Sequence, residues 1–358
     1  MTEPLLSLRG VRIGTVDRHR SHRSLPSHPS LPSHRSQPGQ PGQPGQPGQP
    51  GQPSRSVDIV RGVDLDVMAG EKLGIVGESG SGKSLTVLSV LRLLPDPPVR
   101  LLGGSITYAG QDLAAMDEKQ LASVRGKEIA MVYQDPMSSL NPLLRVSTQI
   151  IETMSAHGVP KDTARRRCRE VLHQVGMADP DRVAAAFPHE LSGGMLQRVM
   201  IAMAVAVSPR VLIADEPTTA LDVTIQRQIL DLVEALHETS GMAVVWVTHD
   251  LGVVAQFVDR VLVMYAGRIV ERASTAQLFS RPAHPYTKAL IGTLPRDGAA
   301  HRSALVQIGG QPPDPARLGQ GCPFRDRCPI AVDRCAHEEP PLLPAGEDSV
   351  AACWRVEG

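Results

Sequence analysis

The stretch Gly77-Glu78-Ser79-Gly80-Ser81-Gly82-Lys83-Ser84 leaves this chain few ways to fold. It follows an apolar run, Lys72-Leu73-Gly74-Ile75-Val76, that reads as a buried strand. It precedes Leu85–Leu91, which has the apolar content of a helix. Strand, glycine loop and helix are the context that the phosphate-binding pattern G-x-x-x-x-G-K-[ST] requires. Glycines let the backbone curl until successive N–H groups face an anion, and the helix N-terminus adds its dipole. On this reading Lys83 reaches the β- and γ-phosphates of a nucleotide and the Ser84 hydroxyl binds Mg²⁺. An incidental Gly/Ser turn is the bland alternative, and the full set of fixed positions in the right context argues against it.

Two further strand ends complete a site of this kind. Val211-Leu212-Ile213-Ala214 is apolar and runs into Asp215-Glu216. A carboxylate at the end of a parallel strand lies at the mouth of the sheet, beside the nucleotide. Asp215 is placed there to hold Mg²⁺, and Glu216 to orient or deprotonate the attacking water. The next apolar run, Ala243–Thr248, delivers His249 and Asp250 to the same edge, where His249 is expected to sense the γ-phosphate.

Around this core the chain is uneven. Leu5–Ile13 reads as a first strand, after which residues 15–56 turn to low complexity: Ser, His, Arg and Pro, then a Gln-Pro-Gly repeat to Pro53. Glycine at every third residue is the collagen period, but the tract is short and a disordered, partly polyproline-II excursion is expected. His19, His22, His28 and His34 belong to that solvated stretch. Val57–Val60 and Val63–Val67 read as two short strands, 143–177 and 196–207 as helices with charged faces, and Cys168 as a core thiol. With 37 basic and 37 acidic residues among 358, nothing points to bulk nucleic-acid binding. No secretory leader is expected, and no run approaches the roughly 18 apolar residues of a membrane span.

Leu191-Ser192-Gly193-Gly194-Met195-Leu196-Gln197-Arg198 has no purpose in a generic phosphate-loop kinase, since its Ser-Gly-Gly opens a second anion-binding helix terminus in one chain. Together with Gly77–Ser84, Tyr133-Gln134, Val211–Glu216, Ala220-Leu221-Asp222 and His249, in that family's order, it resembles the ATP-binding-cassette (ABC) ATPases. The resemblance implies an α/β phosphate-loop NTPase cassette: a RecA-like core, an antiparallel β subdomain and a helical subdomain at about 140–207. The ATPase domain would span 1–272 and a small Cys-rich extension 273–358.

The same resemblance implies a site shared between two cassettes paired head to tail. Ser192, Gly193, Gly194 and Gln197 would then serve the nucleotide of the partner's glycine loop, Gln134 would link Mg²⁺ and water to a membrane subunit, and Asp222 would communicate across the dimer. The stretches Gln134–Pro142, Phe187–Glu190, Pro217–Thr224 and His284–Leu290 look like ATPases of oligopeptide, dipeptide and nickel importers, and the long tail favours peptides over nickel. The partners implied are a second, paralogous cassette, two transmembrane permeases and an extracytoplasmic peptide-binding protein, with this chain at the cytoplasmic face of the membrane. A DNA- or ribosome-acting cassette would need a coiled coil or two cassettes in one chain. A non-catalytic half would lack Glu216 or His249, and both are present.

Cys322, Cys328, Cys335 and Cys353 supply the four thiolates that Zn²⁺ or a [4Fe–4S] cluster needs. Their spacing is wider than the paired C-x₂₋₄-C of zinc ribbons, and the similarity to four-cysteine tails of peptide-importer ATPases favours the cluster. Two departures stand out. The family stacks adenine on an aromatic residue in the first strand pair, yet no Phe, Tyr or Trp precedes Tyr108; Ile13, Val57 or a histidine of the low-complexity stretch could replace it only in part. Leu196 stands where arginine or glutamine is common, with little effect expected on phosphate contact.

Overall fold

Side-chain alternation along three central strands divides the interior into two cores. β3 (Lys72–Val76), β7 (Val211–Asp215) and β8 (Ala243–Thr248) run parallel and are almost wholly buried. Successive residues of a strand face opposite ways, so Leu73, Ile75, Val211, Ile213, Val245 and Val247 enter one core. Val76, Leu212, Ala214, Val244 and Trp246 enter the other. Burial on both faces explains why these segments are continuous apolar runs. The computed structural model describes residues 3–16, 56–219, 221–294 and 308–356. The low-complexity stretch with its four histidines therefore lies almost wholly outside the described residues, as does Ala220.

Eight strands form the large sheet in the order β11-β12-β10-β9-β3-β8-β7-β6. β6 (Ile129–Val132) and β9 (Arg260–Tyr265) complete its parallel part. β10 (Arg268–Ser274), β12 (Ser349–Ala351) and β11 (Leu343–Gly346) continue it antiparallel. Two strands near the C-terminus, β12 and β11, thus extend the large sheet. A second, antiparallel sheet has the order β2-β1-β4-β5, from β1 (Leu6–Thr15), β2 (Val57–Val67), β4 (Val99–Tyr108) and β5 (Gln111–Asp112). The two short strands expected at 57–67 are one, its pairing with β1 shifted in register near Val63.

Helix α1 (Lys83–Val90) follows the glycine loop, and α2 (Glu118–Val124) is opened by a reciprocal Asp117–Gln120 cap. α3 (Pro136–Ser139), α4 (Val146–Ala156), α5 (Lys161–Gln174), α6 (Pro180–Ala185) and α7 (Gly193–Val205) fill the segment expected to be helical. Although half of α5 is charged, Ala164, Cys168, Val171 and Leu172 form one buried stripe at helical spacing. Cys168 is the core thiol expected, and burial pushes its pKa up to about 11.

α8 (Val223–Ser240) starts at the Asp222 cap and stops where Gly241 takes a left-handed conformation. α9 (Leu251–Phe257), α10 (Thr275–Ser280), α11 (Pro285–Gly292) and α12 (Arg334–His337) complete the described helices. Among the described residues no helix is long and apolar enough to cross a membrane.

Candidate functional site

The carboxyl ends of β3, β8 and β7 lie level, with Val76 opposite Thr248 and Asp215 opposite Val247. That register brings the glycine loop, Asp215-Glu216 and His249 to one edge of the sheet. Gly80 and Gly82 take φ of 79° and 98°, values that favour glycine. At Gly77 a Cβ would come within 2.2 Å of the Met264 carbonyl, so the loop is pressed against the end of β9. Ser81 Oγ is buried and has no hydrogen-bond partner among the described residues. An orphaned donor inside a glycine cradle at the start of a helix fits a phosphate-bearing ligand.

Lys83 is buried, and its Nζ donates to the carbonyls of Gly77 at 2.8 Å and Glu78 at 3.1 Å. Burial lowers its pKa, while Glu216, Asp215 and Glu78 act in the opposite direction. Ser84 Oγ donates to Asp215 Oδ1 at 3.0 Å, and burial raises the Asp215 pKa. A hydroxyl beside a strand-end carboxylate is an all-oxygen donor set of the kind Mg²⁺ takes, so these residues fit that ion.

Glu216 sits at φ 47°, a left-handed conformation that is costly for a non-glycine residue. Its Oε2 accepts from Thr219 Oγ1 at 2.9 Å and lies 3.1 Å from His249 Nδ1; its Oε1 is 3.8 Å from Lys83 Nζ. Thr219 was not evident as a partner from the sequence, because a threonine in a turn carries no signal of what its hydroxyl meets.

Other expected site residues stand apart from this group. Ser192 caps α7, accepting from the Met195 N–H at 3.4 Å, and Ser192 and Gly193 are exposed at the free helix end. Asp222 likewise caps α8 and is exposed. Gln134 is exposed just past β6, and among the described residues no hydrogen bond ties it to Ser84 or Asp215. Gln197 faces inward, 1% exposed with Nε2 unpartnered, so its amide is not offered to a ligand on another chain. Leu196, expected to lie harmlessly past the helix start, is buried in the core. Ile13 is wholly buried and presents no surface to a base, while Val57 is half-buried.

Glu78 departs most from expectation as a phosphate ligand. Its N–H donates to Tyr286 Oη at 2.8 Å, and its carboxylate is gripped by Arg327. No sequence signal pairs Glu78 with a residue 249 positions away.

The four tail cysteines are all free. Cys322 N–H donates to the Cys335 carbonyl at 2.8 Å, so their loops are neighbours. Burial pushes the Cys322 thiol up to about 11 and raises Cys328 and Cys353. Among the described residues no group of three or more His, Cys, Asp or Glu is arranged to hold a metal ion. The described residues thus give no support to the expected [4Fe–4S] or Zn²⁺ site. What orders the segment instead is its pairing with β10, an aromatic contact between Phe324 and Tyr265, and ion pairs from Arg61 and Arg268 to Glu339.

Comparison with known proteins agrees with the cassette fold. Residues 60–219 match the ABC transporter family, and 270–335 match the oligopeptide/dipeptide transporter C-terminal region. A Sinorhizobium fredii protein, the probable peptide ABC transporter ATP-binding protein y4tR, is 51% identical over 82% of this chain and 88% of its own length. The oligopeptide transport ATP-binding protein OppD of Bacillus subtilis is 45% identical over 83% and 84%. OppD of Mycobacterium tuberculosis is 49% identical over 84% of this chain but only 49% of that longer protein. Among solved structures, the dimeric cassette MJ0796 bound to ADP and Pi superposes with a TM-score of 0.58 at 24% identity, covering 75% of this chain and 98% of that one. The chain belongs to the ATP-binding proteins of the ABC transporters, in the branch that carries the oligopeptide/dipeptide C-terminal region.

Proposed function

We infer that this protein is the ATP-binding and ATP-hydrolysing subunit of an importer for di- and oligopeptides. The observation that carries the reading is the meeting of Gly77–Ser84, Asp215, Glu216 and His249 at one sheet edge, with Ser84 Oγ 3.0 Å from Asp215 and His249 Nδ1 3.1 Å from Glu216. The peptide substrate rests on the names of the relatives and on the C-terminal match.

In this reading the loop N–H groups and Lys83 cradle the triphosphate of ATP. Ser84 and Asp215 would hold Mg²⁺, which supplies charge neutralisation to the β- and γ-phosphates. Glu216, held between Thr219 and His249, accepts a proton from the attacking water as the bond to the γ-phosphorus forms and ADP leaves. The exposed Ser192-Gly193 terminus serves a second cassette's nucleotide, Asp222 lies at the same interface, and Gln134 faces a membrane subunit. The dimeric form of MJ0796 supports such pairing. Partners are a paralogous cassette, two permeases and a peptide-binding protein, which places the chain at the cytoplasmic face of the membrane. The tail cysteines have no part in this mechanism; iron and zinc analysis of anaerobically purified protein tests the site expected from their number and from the resemblance to four-cysteine tails.

The test is reconstitution in vesicles with a paralogous cassette, two permeases and a peptide-binding protein from the same genome. Mg²⁺- and ATP-dependent peptide uptake that Lys83→Ala abolishes is the expected result. Uptake of another solute, with peptides ignored, would overturn the substrate; absence of ATP hydrolysis would overturn the whole reading.

A further inference from the structure

Glu78 is the one carboxylate inside the glycine loop, and it is held by the far end of the chain. Arg327 Nη1 donates to Glu78 Oε2 at 2.7 Å and Nη2 to Oε1 at 2.9 Å, a two-pronged pair. The guanidinium is itself fixed: Nε donates to the Gly309 carbonyl at 2.8 Å, and the group packs near the rings of Tyr265 and Phe324. Only 4% of the Arg327 side chain is exposed. On the other side the Glu78 N–H donates to Tyr286, a fully buried ring packed at a tilt against Tyr265 and Phe324. A chain with only four tyrosines and four phenylalanines places three of these eight rings beneath its glycine loop.

The electrostatics give this arrangement a purpose. Lys83 already faces Asp215 and Glu216, and Glu78 is a third carboxylate within range of it. Left unpaired, Glu78 would oppose a polyanionic ligand in a loop built to attract one, in a half-buried place where screening is weak. Arg327 cancels that charge, and its fork also sets the direction of the carboxylate.

We propose that Arg327 is a positioning residue for nucleotide binding: it neutralises and orients Glu78, so that the C-terminal segment sets the affinity of the glycine loop. This rests on the loop being an ATP site. The role is distinct from hydrolysis, because Arg327 touches neither Glu216 nor His249 among its hydrogen-bond partners.

The experiment is titration of the full-length protein with a fluorescent ATP analogue and Mg²⁺, beside ATPase kinetics. Arg327→Met keeps bulk without charge and is expected to raise Kd at least about tenfold, equal to about 1.4 kcal/mol, with KM rising more than kcat falls. Adding Glu78→Gln removes the stranded carboxylate and is expected to restore most of the affinity. Wild-type affinity in Arg327→Met, or a double variant as weak as the single, would overturn the proposal. Should Arg327→Met not fold, Arg327→Lys keeps the charge but not the fork; weaker binding is expected, and unchanged binding would overturn the orienting role. A wild-type protein that binds no ATP would instead overturn the loop's assignment, whatever the variants do.

Discussion

His249 Nδ1 and Glu216 Oε2 are 3.1 Å apart at the ends of neighbouring strands, and Thr219 donates to the same oxygen at 2.9 Å. The carboxylate is thus oriented from two sides while its backbone sits at an unfavourable φ of 47°. Such strain persists only where the surroundings over-determine it. Glu216→Gln keeps the shape and removes the base, so hydrolysis is expected to fall by about 10²–10⁴-fold. ATP binding remains, and an ATP-bound dimer accumulates on size exclusion. His249→Ala should lower kcat with a smaller effect on KM, because it frees the carboxylate without removing it. Unchanged turnover in Glu216→Gln would remove the assigned role.

Leu196 is 3% exposed in the core under α7. An arginine at this position would meet apolar neighbours. Leu196→Arg buries a charge with no partner among the apolar neighbours, at a cost of about 3 kcal/mol or more. A markedly lower Tm is expected by calorimetry, and an unchanged Tm would mean that the side chain escapes to the surface.

Thr15 pairs directly with Val57 across β1 and β2. The ends of the low-complexity stretch are therefore already adjacent, as in a hairpin. Replacing residues 17–55 by a short Asn-Gly turn is expected to preserve folding and ATPase activity, since closing a short loop costs less entropy than closing a long one. Loss of soluble folded protein would assign the stretch a structural role.

His284 is 2% exposed, and its Nδ1 accepts from the Tyr286 N–H at 3.0 Å. The buried Glu271 carboxylate accepts from the His284 backbone N–H at 2.8 Å. Burial lowers the His284 pKa from its ordinary 6.5 to about 4. A base whose folded pKa is depressed contributes stability that is full above the unfolded value. That stability drains as pH falls from about 6.5 toward 4, by up to about 3 kcal/mol. His284→Asn keeps an acceptor for the helix cap and removes the titration. Its Tm should fall less than the wild type's between pH 7.5 and 5; parallel curves would place the pH sensitivity elsewhere.

The glycine loop, the strand-end carboxylates and His249 were legible because their chemistry is local. Curling a backbone around phosphate needs glycines at fixed spacing, and parallel strands buried on both faces must be apolar runs ending at one edge. The stripe of α5 was legible for the same reason, its helical period being visible beneath its charges. Tertiary structure alone decided what the spare groups do. Gln197 and Leu196 turned inward, which depends on what packs over α7.

The tail cysteines, suggestive in number and spacing, came to lie on backbone segments that do not present them as a metal-holding group. Glu78, inside the motif itself, was claimed by Tyr286 of α11 and by Arg327, 249 positions away along the chain. Sequence alone determined the glycine loop and the carboxylates that face it, since those are properties of a dozen residues and their backbone. Which side chains steady that cradle was decided by contacts between distant segments, where burial and charge pairing act through space and leave no spacing to read.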